Sequence, residues 1–294
     1  MGNARTVGFI TPEPDHPLLA ATRELLGREH RVVTVHPETA GPALPGPLAD
    51  VYLLKSRTPR ALALARSLES QGVPVVNSAD ATELCQDRTS MAELADEAGL
   101  PFSATRTFGS LTELTASIGR AGQADHMERA ERAEPASSGA PMGPLVVKSR
   151  HSRRHDLVTR VDSRAQLAEL ADVWGEEPVV VQEFAENSGY DHKLWVIDGT
   201  VFAALRRSEL APEGRGTTRS LGLDELPCGW PELAVSVGEV FRLDVYGVDV
   251  IDTGGGAPLI VDINAFPGIR GQAGAPEALA ALALRKARES VAAA

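Results

Sequence analysis

Two aspartates and an asparagine near the end of the chain have the types and spacing of a divalent-cation site. Residues 247–271 read GVDVIDTGGGAPLIVDINAFPGIRG, where two apolar runs flank a glycine-rich turn. This pattern predicts a β-hairpin. Because side chains alternate along a strand, Asp262 and Asn264 share one face, and Asp249 on the paired strand can lie opposite them.

Two carboxylates and a carboxamide on one sheet face form an all-oxygen cluster. Like charges are costly to bring together unless a cation lies between them. Mg²⁺ prefers oxygen ligands, takes one or two carboxylates from the protein, and fills its other positions with water and substrate phosphates. The cluster therefore predicts a magnesium site, with Mn²⁺ as the second choice. The simpler alternative is a strand that ends in a turn, with Asp and Asn as turn formers.

A second group of chemically useful side chains follows the apolar run at 145–147. Lys148 ends this run, and the sequence SRHSRRHD comes next. Five cations stand here against one acid, Asp156, in a chain of net charge −11. Such a concentration indicates an anionic ligand. The five are Lys148, Arg150, Arg153, Arg154 and Arg160.

The elements that must position these groups can be predicted from periodicity. Strands and helices alternate between residues 6 and 77, which predicts a small parallel sheet. The run VVVQEF at 179–184 predicts a strand covered on both faces. Asp198-Gly199 between two alternating runs predicts a hairpin. No G-x-G-x-x-G follows the first strand, which argues against a nicotinamide cofactor.

The segment DINAFPG at 262–268, preceded by an acid on the neighbouring strand, closely resembles the metal-binding motif of the ATP-grasp superfamily. It is most similar to the motifs of two branches, the RimK-like carboxylate-amine ligases and the inositol 1,3,4-trisphosphate 5/6-kinase type. The resemblance implies an α/β fold with α+β subdomains, in which an ATP-grasp domain follows an N-terminal parallel-sheet domain. The implied ranges are 1–85 for the N-terminal domain, 86–294 for the ATP-grasp domain and about 104–184 for its lid subdomain, with a flexible insertion at 122–143.

The resemblance also implies roles for particular residues. Metal would be bound by Asp249, Asp262 and Asn264. ATP would be bound through its phosphates by Arg88 and Lys148, through adenine by Gln182, Glu183 and Phe184, and through ribose by Glu186. Lys193 and Arg207 would act on phosphate or acceptor. Arg206 and Arg207 cannot both face the cleft on a regular strand, and the register of the ligase pattern favours Arg207. For Arg88 the alternative is a surface arginine, and for Phe184 it is core packing.

The sequence departs from the family in the loop after Lys148, which contains no glycine. Arginine and histidine side chains could replace the usual backbone contacts to phosphate, or the loop could hold a phosphorylated acceptor. A third alternative is a degenerate loop without catalysis. His155 matches a histidine of the kinase branch and is a candidate phosphate donor.

The composition excludes several classes of protein. The 294 residues suffice for about two domains, and the acidic balance argues against nucleic-acid and membrane-surface binding. Two cysteines form neither a metal spacing nor a disulfide framework, and no apolar run could span a bilayer or serve as a signal peptide. We therefore expect a cytoplasmic protein. Lys55, Arg57 and Arg60 follow the third strand, where the resembling families have part of the acceptor site.

The resemblance therefore implies an ATP- and magnesium-dependent ligase that joins a carboxylate to an amine through an acyl phosphate. The acceptor would be a small molecule or a peptide. The resemblance of the spacing around Asp191, Lys193 and Arg207 to that of RimK-like ligases, together with a three-domain layout, favours the ligase, whereas DINAFPG and His155 favour a small-molecule kinase. A nucleotide-binding protein without turnover is the third class, and the oligomeric state is left open.

Overall fold

A computed structural model describes residues 4–40, 47–120, 143–211, 214 and 216–292. The predicted insertion at 122–143 lies outside the described residues, apart from Gly143. The described chain is an α/β structure built on three sheets. None of its helices is long and apolar enough to cross a membrane within the described part.

The first sheet is parallel and has the strand order β2-β1-β3-β4. It confirms the sheet predicted from the alternation of strands and helices. Its strands are β1 (Thr6–Ile10), β2 (Arg31–Val35), β3 (Val51–Leu54) and β4 (Val75–Val76). The accompanying helices are α1 (Pro17–Leu26), α2 (Pro59–Glu69), α3 (Ala79–Leu84) and α4 (Arg88–Glu97).

The second sheet is antiparallel, in the order β5-β8-β6-β7. Its strands are β5 (Thr105–Phe108), β6 (Leu145–Ser149), β7 (Val158–Val161) and β8 (Val179–Glu183). Two helices cover it, α5 at residues 111–120 and α6 (Arg164–Trp174). Serine side chains cap both helices, since Ser110 accepts from the backbone N–H of Glu113 and Ser163 from that of Gln166.

The third sheet has the order β11-β10-β9-β12-β13 and contains the predicted hairpins. Its strands are β9 (Tyr190–Ile197), β10 (Thr200–Arg207), β11 (Thr218–Leu221), β12 (Val245–Asp252) and β13 (Pro258–Ala265). Asp198 and Gly199 have φ of 50° and 77°, which a two-residue turn with two left-handed residues requires. Helices α7 (Trp230–Phe241) and α8 (Ala275–Ala292) complete the chain.

The first and third sheets are joined by buried contacts. The amide of Asn77, 1% exposed, donates to the carbonyl of Val245 and accepts from the N–H groups of Asp244 and Val245. Helix α8 returns to the first sheet, where Leu279 and Leu282 share a core cluster with residues of β1 and α1. The hairpin of β12 and β13, which carries Asp249, Asp262 and Asn264 and is called the acidic hairpin below, is therefore fixed against the N-terminal sheet.

His16, just before α1, is a buried histidine with an unusual environment. It is 5% exposed, and neither ring nitrogen has a hydrogen-bond partner within the described chain. Burial, and then the charges of Lys55 and Arg270, lower its pKa to about 4. The folded protein therefore keeps His16 neutral in mildly acidic solution.

We expect this histidine to reduce stability as the pH falls from 7 to 5. In the unfolded chain His16 takes up a proton near pH 6.5, whereas the folded chain does so only near pH 4, so the unfolded state binds more protons in between. The wild type should lose about 2 kcal/mol more of its unfolding free energy than His16→Leu over this range. Urea unfolding of both proteins at the two pH values measures this difference, and equal losses would contradict it.

Candidate nucleotide and metal site

A cleft of about 660 Å³ opens between the second and third sheets. This volume is in the range of small-molecule sites. The second sheet contributes Lys148 and Gln182 to its wall, and the third contributes Lys193, Asp249 and Asp262. Of the residues predicted to bind nucleotide or metal, eight line this cleft together: Arg88, Lys148, Gln182, Glu183, Phe184, Asp249, Asp262 and Asn264.

The acidic hairpin holds its oxygen donors on one face. Asp249 of β12 lies directly opposite Asp262 of β13, and the register shifts just after Asp249. Asn264 donates from its side-chain amide to Asp262 at 3.3 Å. The pKa of Asp249 is raised above its usual value, chiefly by burial. The charge of Lys193 lowers it in part, and the charge of the neighbouring Asp262 raises it further. The two carboxylates are thus close enough to repel each other.

This donor set fits Mg²⁺. No group of three or more His, Cys, Asp or Glu side chains in the described ranges is arranged to hold a metal. The candidate site instead combines two carboxylates with the carboxamide of Asn264, which matches the small number of protein carboxylates that Mg²⁺ takes. The remaining positions are left for water and substrate oxygens.

Buried cations surround the acids. Lys193 pairs with Asp249 and lies 3.5 Å from Asp191. Arg88 is 7% exposed, so the alternative of a surface arginine is wrong. Its guanidinium donates to Asp156 at 2.7 Å and lies 3.8 Å from Asp262. In this arrangement the protein's own cations neutralise the carboxylates.

Lys148 is the most enclosed of these cations. Its ammonium group donates to the carbonyl of Val261 at 2.7 Å, which joins β6 to β13 across the cleft. Burial lowers its pKa to about 8, although the charge of Asp262 opposes this shift. The ammonium is therefore charged near neutral pH and faces the acidic hairpin.

Strand β8 forms the far wall of the cleft. Gln182 is 4% exposed and donates to the hydroxyl of Thr105 at 3.0 Å, whereas the side chain of Glu183 is exposed. The ring of Phe184 lies on the cleft wall, 3.9 Å from the guanidinium carbon of Arg160. Its position fits a planar ligand better than core packing. Glu186 is exposed and lines a neighbouring pocket instead.

The prediction that Arg207 faces the cleft is wrong, and Arg206 faces it instead. Arg206 of β10 lies opposite Asp191 of β9, and Asp191 is on the same strand face as Lys193. Because Lys193 lies opposite Asp249 of β12, Arg206 is on the same sheet face as the carboxylates of the acidic hairpin. It lies 3.6 Å from Asp191. Arg207 does not line the cleft; it lines the neighbouring pocket of about 520 Å³ with Glu186 and Tyr190. Which of the two arginines faces the cleft depends on the register in which β10 pairs with β9.

Comparison with known proteins identifies the fold. Residues 135–277 match the family model described as the RimK-like ATP-grasp domain. This part of the chain is similar to a RimK-like ATP-grasp domain. The solved RimK-domain ATP-grasp protein of Sphaerobacter thermophilus superposes with a TM-score of 0.68 at 23% identity, over 94% of this chain and 98% of that one.

Two further similarities extend this result. The ATP-grasp ligase PsnB, solved with a phosphomimetic variant of its minimal precursor, Mg and ADP, has a TM-score of 0.62 at 17% identity, covering 97% and 99% of the two chains. A protein of Desulfotalea psychrophila named probable alpha-L-glutamate ligase is 26% identical over 221 residues, or 73% of this chain. The chain spans only 43% of that relative's length.

The loop after Lys148 is the main departure of this ATP-grasp domain. Residues 149–156 pack onto residues 86–88, because the N–H of Ser152 donates to Gln86 and that of Arg88 to Arg150. Two predicted anion-binding arginines of this loop are paired with protein carboxylates, Arg150 with Asp87 and Arg153 with Glu177. Arg160, which follows on β7, is paired with Asp162. His155 is exposed and has φ of 61°.

We expect Arg206 and Arg207 to differ sharply on substitution. Arg206→Gln should lower ATP turnover at least about tenfold. The substitution removes a cation from the cleft and leaves the negative charge of Asp191 less well neutralised. Arg207→Gln, one residue away on the other face, should stay within about twofold of wild type. Steady-state ADP release measures both variants, and the reverse order would contradict the placement.

Proposed function

We propose that this protein is a ligase that uses ATP and Mg²⁺ to join a carboxylate to an amine. The observation that carries the proposal is the convergence of Asp249, Asp262 and Asn264 with Arg88, Lys148 and Lys193 on one cleft. Catalysis of phosphoryl transfer depends mainly on positioning and charge neutralisation. The cleft offers both, with oxygen donors for a metal and cations for a triphosphate.

In this proposal the second sheet and the acidic hairpin hold ATP between them. Gln182, Glu183 and Phe184 would contact the base, and Arg88 and Lys148 the phosphates. Asp249, Asp262 and Asn264 would hold Mg²⁺, which would supply positive charge against the phosphates. Arg88 would then exchange its present contact with Asp156 for a phosphate oxygen.

The reaction would proceed in two transfers. A carboxylate oxygen of the first substrate attacks the γ-phosphorus, and ADP leaves with the electrons of the broken bond. The amine of the second substrate then attacks the acyl carbon, phosphate leaves, and the amine loses a proton. Lys193 and Arg206, which share a sheet face with Asp249, would stabilise the negative charge that develops in both steps.

The similar proteins support a ligase over the other classes. One relative is named a probable alpha-L-glutamate ligase, and the structural neighbour PsnB is named a ligase and was solved with a precursor, Mg and ADP. A small molecule or a peptide is therefore the proposed acceptor. A cytoplasmic location belongs to the same proposal, in keeping with Cys85 and Cys228, which are both free thiols.

A small-molecule kinase is the second candidate. Its support is the segment 262–268, whose sequence resembles that of the inositol-phosphate kinase branch. The exposed His155 is not among the residues that line the cleft and does not strengthen it. A kinase would transfer the γ-phosphoryl group to a hydroxyl and stop there.

Phosphorus NMR of the protein with ATP, magnesium and pooled acceptors tests the proposal. The pool contains amino acids, short peptides and inositol or sugar phosphates. We expect equal amounts of ADP and free phosphate, with a new amide product in the mass spectrum of the same sample. ADP with a new phosphomonoester would establish the kinase instead. ADP and phosphate without an amide would contradict ligation.

A further inference from the structure

The turn after Asn264 lies at the edge of the third sheet. β13 is an edge strand, paired along its length with β12; on its other side the described chain pairs only with Ile260, near the start of the strand. Phe266, just after β13, has φ of 43°, which is costly for a residue with a side chain. Such a conformation persists only where its surroundings enforce it. The contacts that hold this turn therefore help to place Asn264.

The N-terminal part of the fold supplies those contacts. The side chain of Phe266 is 5% exposed and shares a core cluster with Phe9 and Leu53 of the first sheet. His16 packs against Gly268, where an added Cβ would lie 3.6 Å from its Nε2. The turn is thus held by a different sheet from the one that carries the candidate metal ligands.

Lys55 is the polar part of this support. It directly follows β3, and its ammonium group donates to two successive carbonyls of the turn, those of Phe266 and Pro267, at 3.4 and 3.3 Å. The ammonium also lies 5.6 Å from the centroid of the Phe266 ring. Burial lowers the pKa of Lys55 to about 8. Lys55 is not among the residues that line the cleft, so its contacts are with the turn and not with a ligand of the cleft.

We propose that Lys55 is a positioning residue for the metal. By holding the two carbonyls of the turn, it sets the position of the Asn264 carboxamide beside Asp262. This inference rests on the proposed function in one respect, because it assumes that Asn264 and the two aspartates of the acidic hairpin hold Mg²⁺. Residues that fix the orientation of a metal ligand change the metal affinity about 10- to 100-fold when they are replaced.

The geometry directs the effect of Lys55 to Asn264. Asn264 lies two residues before Phe266 and opposite Gly247 of β12. Pro267 packs against Gly247, where an added Cβ would lie 3.1 Å from its Cγ. The two aspartates lie opposite each other farther from the turn. A displaced turn would therefore move Asn264 before it moved the aspartates.

Binding of Mn²⁺ to the full chain saturated with ADP tests this role without turnover, and the EPR signal of free Mn²⁺ measures it. Lys55→Met keeps the approximate length of the side chain and removes the hydrogen-bond donor. We expect this variant to bind Mn²⁺ at least about tenfold more weakly than the wild type. Lys55→Arg keeps a donor and should bind Mn²⁺ more tightly than Lys55→Met.

A double-mutant cycle with Asn264→Ala distinguishes positioning from a general loss of stability. If Lys55 acts through Asn264, Lys55→Met should weaken Mn²⁺ binding by less than about twofold once residue 264 has lost its carboxamide. A structural role alone would weaken binding by the same factor in both backgrounds. Equal factors, or a Lys55→Met protein that binds Mn²⁺ as the wild type does, would overturn the inference.

Lys286→Met is the matched control. Lys286 of α8 pairs with Asp244 at 2.9 Å, just before β12, so it also links a segment of the third sheet to another element. Its Mn²⁺ affinity should equal that of the wild type, and urea unfolding compares the stability of the two methionine variants. The inference fails if Lys286→Met weakens Mn²⁺ binding as much as Lys55→Met does.

Asp262→Asn separates this inference from the proposed function. If Asp262→Asn weakens Mn²⁺ binding and Lys55→Met does not, the positioning role fails and the metal site of the ligase stands. If Asp262→Asn binds Mn²⁺ as tightly as the wild type, the metal assignment and the positioning role fail together. If Mn²⁺ binding depends on Lys55 but no acceptor yields ADP, the ligase fails and the positioning role stands.

Discussion

Replacing Asp262 by asparagine should lower ATP turnover at least about a thousandfold, which corresponds to about 4 kcal/mol of transition-state stabilisation. Asparagine has the same shape, so the hairpin should fold unchanged. It lacks the negative charge that a divalent cation needs opposite Asp249. Steady-state ADP release measures the loss, and urea unfolding checks that the fold is kept.

Asp252→Asn is the matched control for this variant. Asp252 ends β12, the strand paired with that of Asp262, but it accepts from the N–H of Gly254 in the turn and is not among the residues that line the cleft. Asparagine keeps that acceptor oxygen. Turnover by Asp252→Asn should stay near the wild-type value. If Asp262→Asn retained more than a tenth of the wild-type rate, the assignment of Asp262 to the metal would be contradicted.

Replacing Lys148 by methionine should lower kcat/KM for ATP about a hundredfold or more. Methionine has a similar length and suits a site that is 6% exposed, but it brings no charge to the phosphates. The wild-type enzyme should itself lose kcat/KM as the pH rises through about 8, because Lys148 then gives up its proton. The variant should lack this step. Initial rates at limiting ATP between pH 6.5 and 9 measure both effects.

Lys286→Met controls for the loss of a lysine. Lys286 lies on α8 and pairs with Asp244 at 2.9 Å, outside the cleft. It should keep the wild-type pH profile. A Lys148→Met protein whose kcat/KM falls above pH 8 as steeply as that of the wild type would show that another group titrates.

Much of the fold was predictable because its signals are local. The hairpin around Asp198-Gly199 depends on two residues that tolerate left-handed backbone, and the acidic hairpin depends on alternation about a glycine-rich turn. Strands β5 and β11 were missed. They read TRTF and TRSL, most of their side chains face solvent, and pairing with β8 and β10 defines them. No local pattern carries that information.

The residues of the site also fall into those that local sequence predicts and those that only strand pairing or tertiary contacts define. Asp262 and Asn264 were predictable as neighbours because residues two apart on a strand share one face, and Asp249 was predictable as a candidate partner on the paired strand. The choice between Arg206 and Arg207 needed the register of β9 with β10. The arginines of residues 149–156 were predicted to meet an anion, but partners distant in sequence, Asp87 and Glu177, neutralise two of them. Such pairings depend on tertiary structure and leave no trace in spacing.

The transfer of ¹⁸O from a labelled substrate carboxylate to phosphate tests the central claim most directly. The acceptor found in the phosphorus NMR screen would be labelled in both carboxylate oxygens, and the released phosphate would be examined by its isotope shift. An acyl phosphate leaves one labelled oxygen on phosphate when the amine displaces it, so we expect one ¹⁸O per phosphate. Unlabelled phosphate alongside a formed amide would contradict the proposed mechanism.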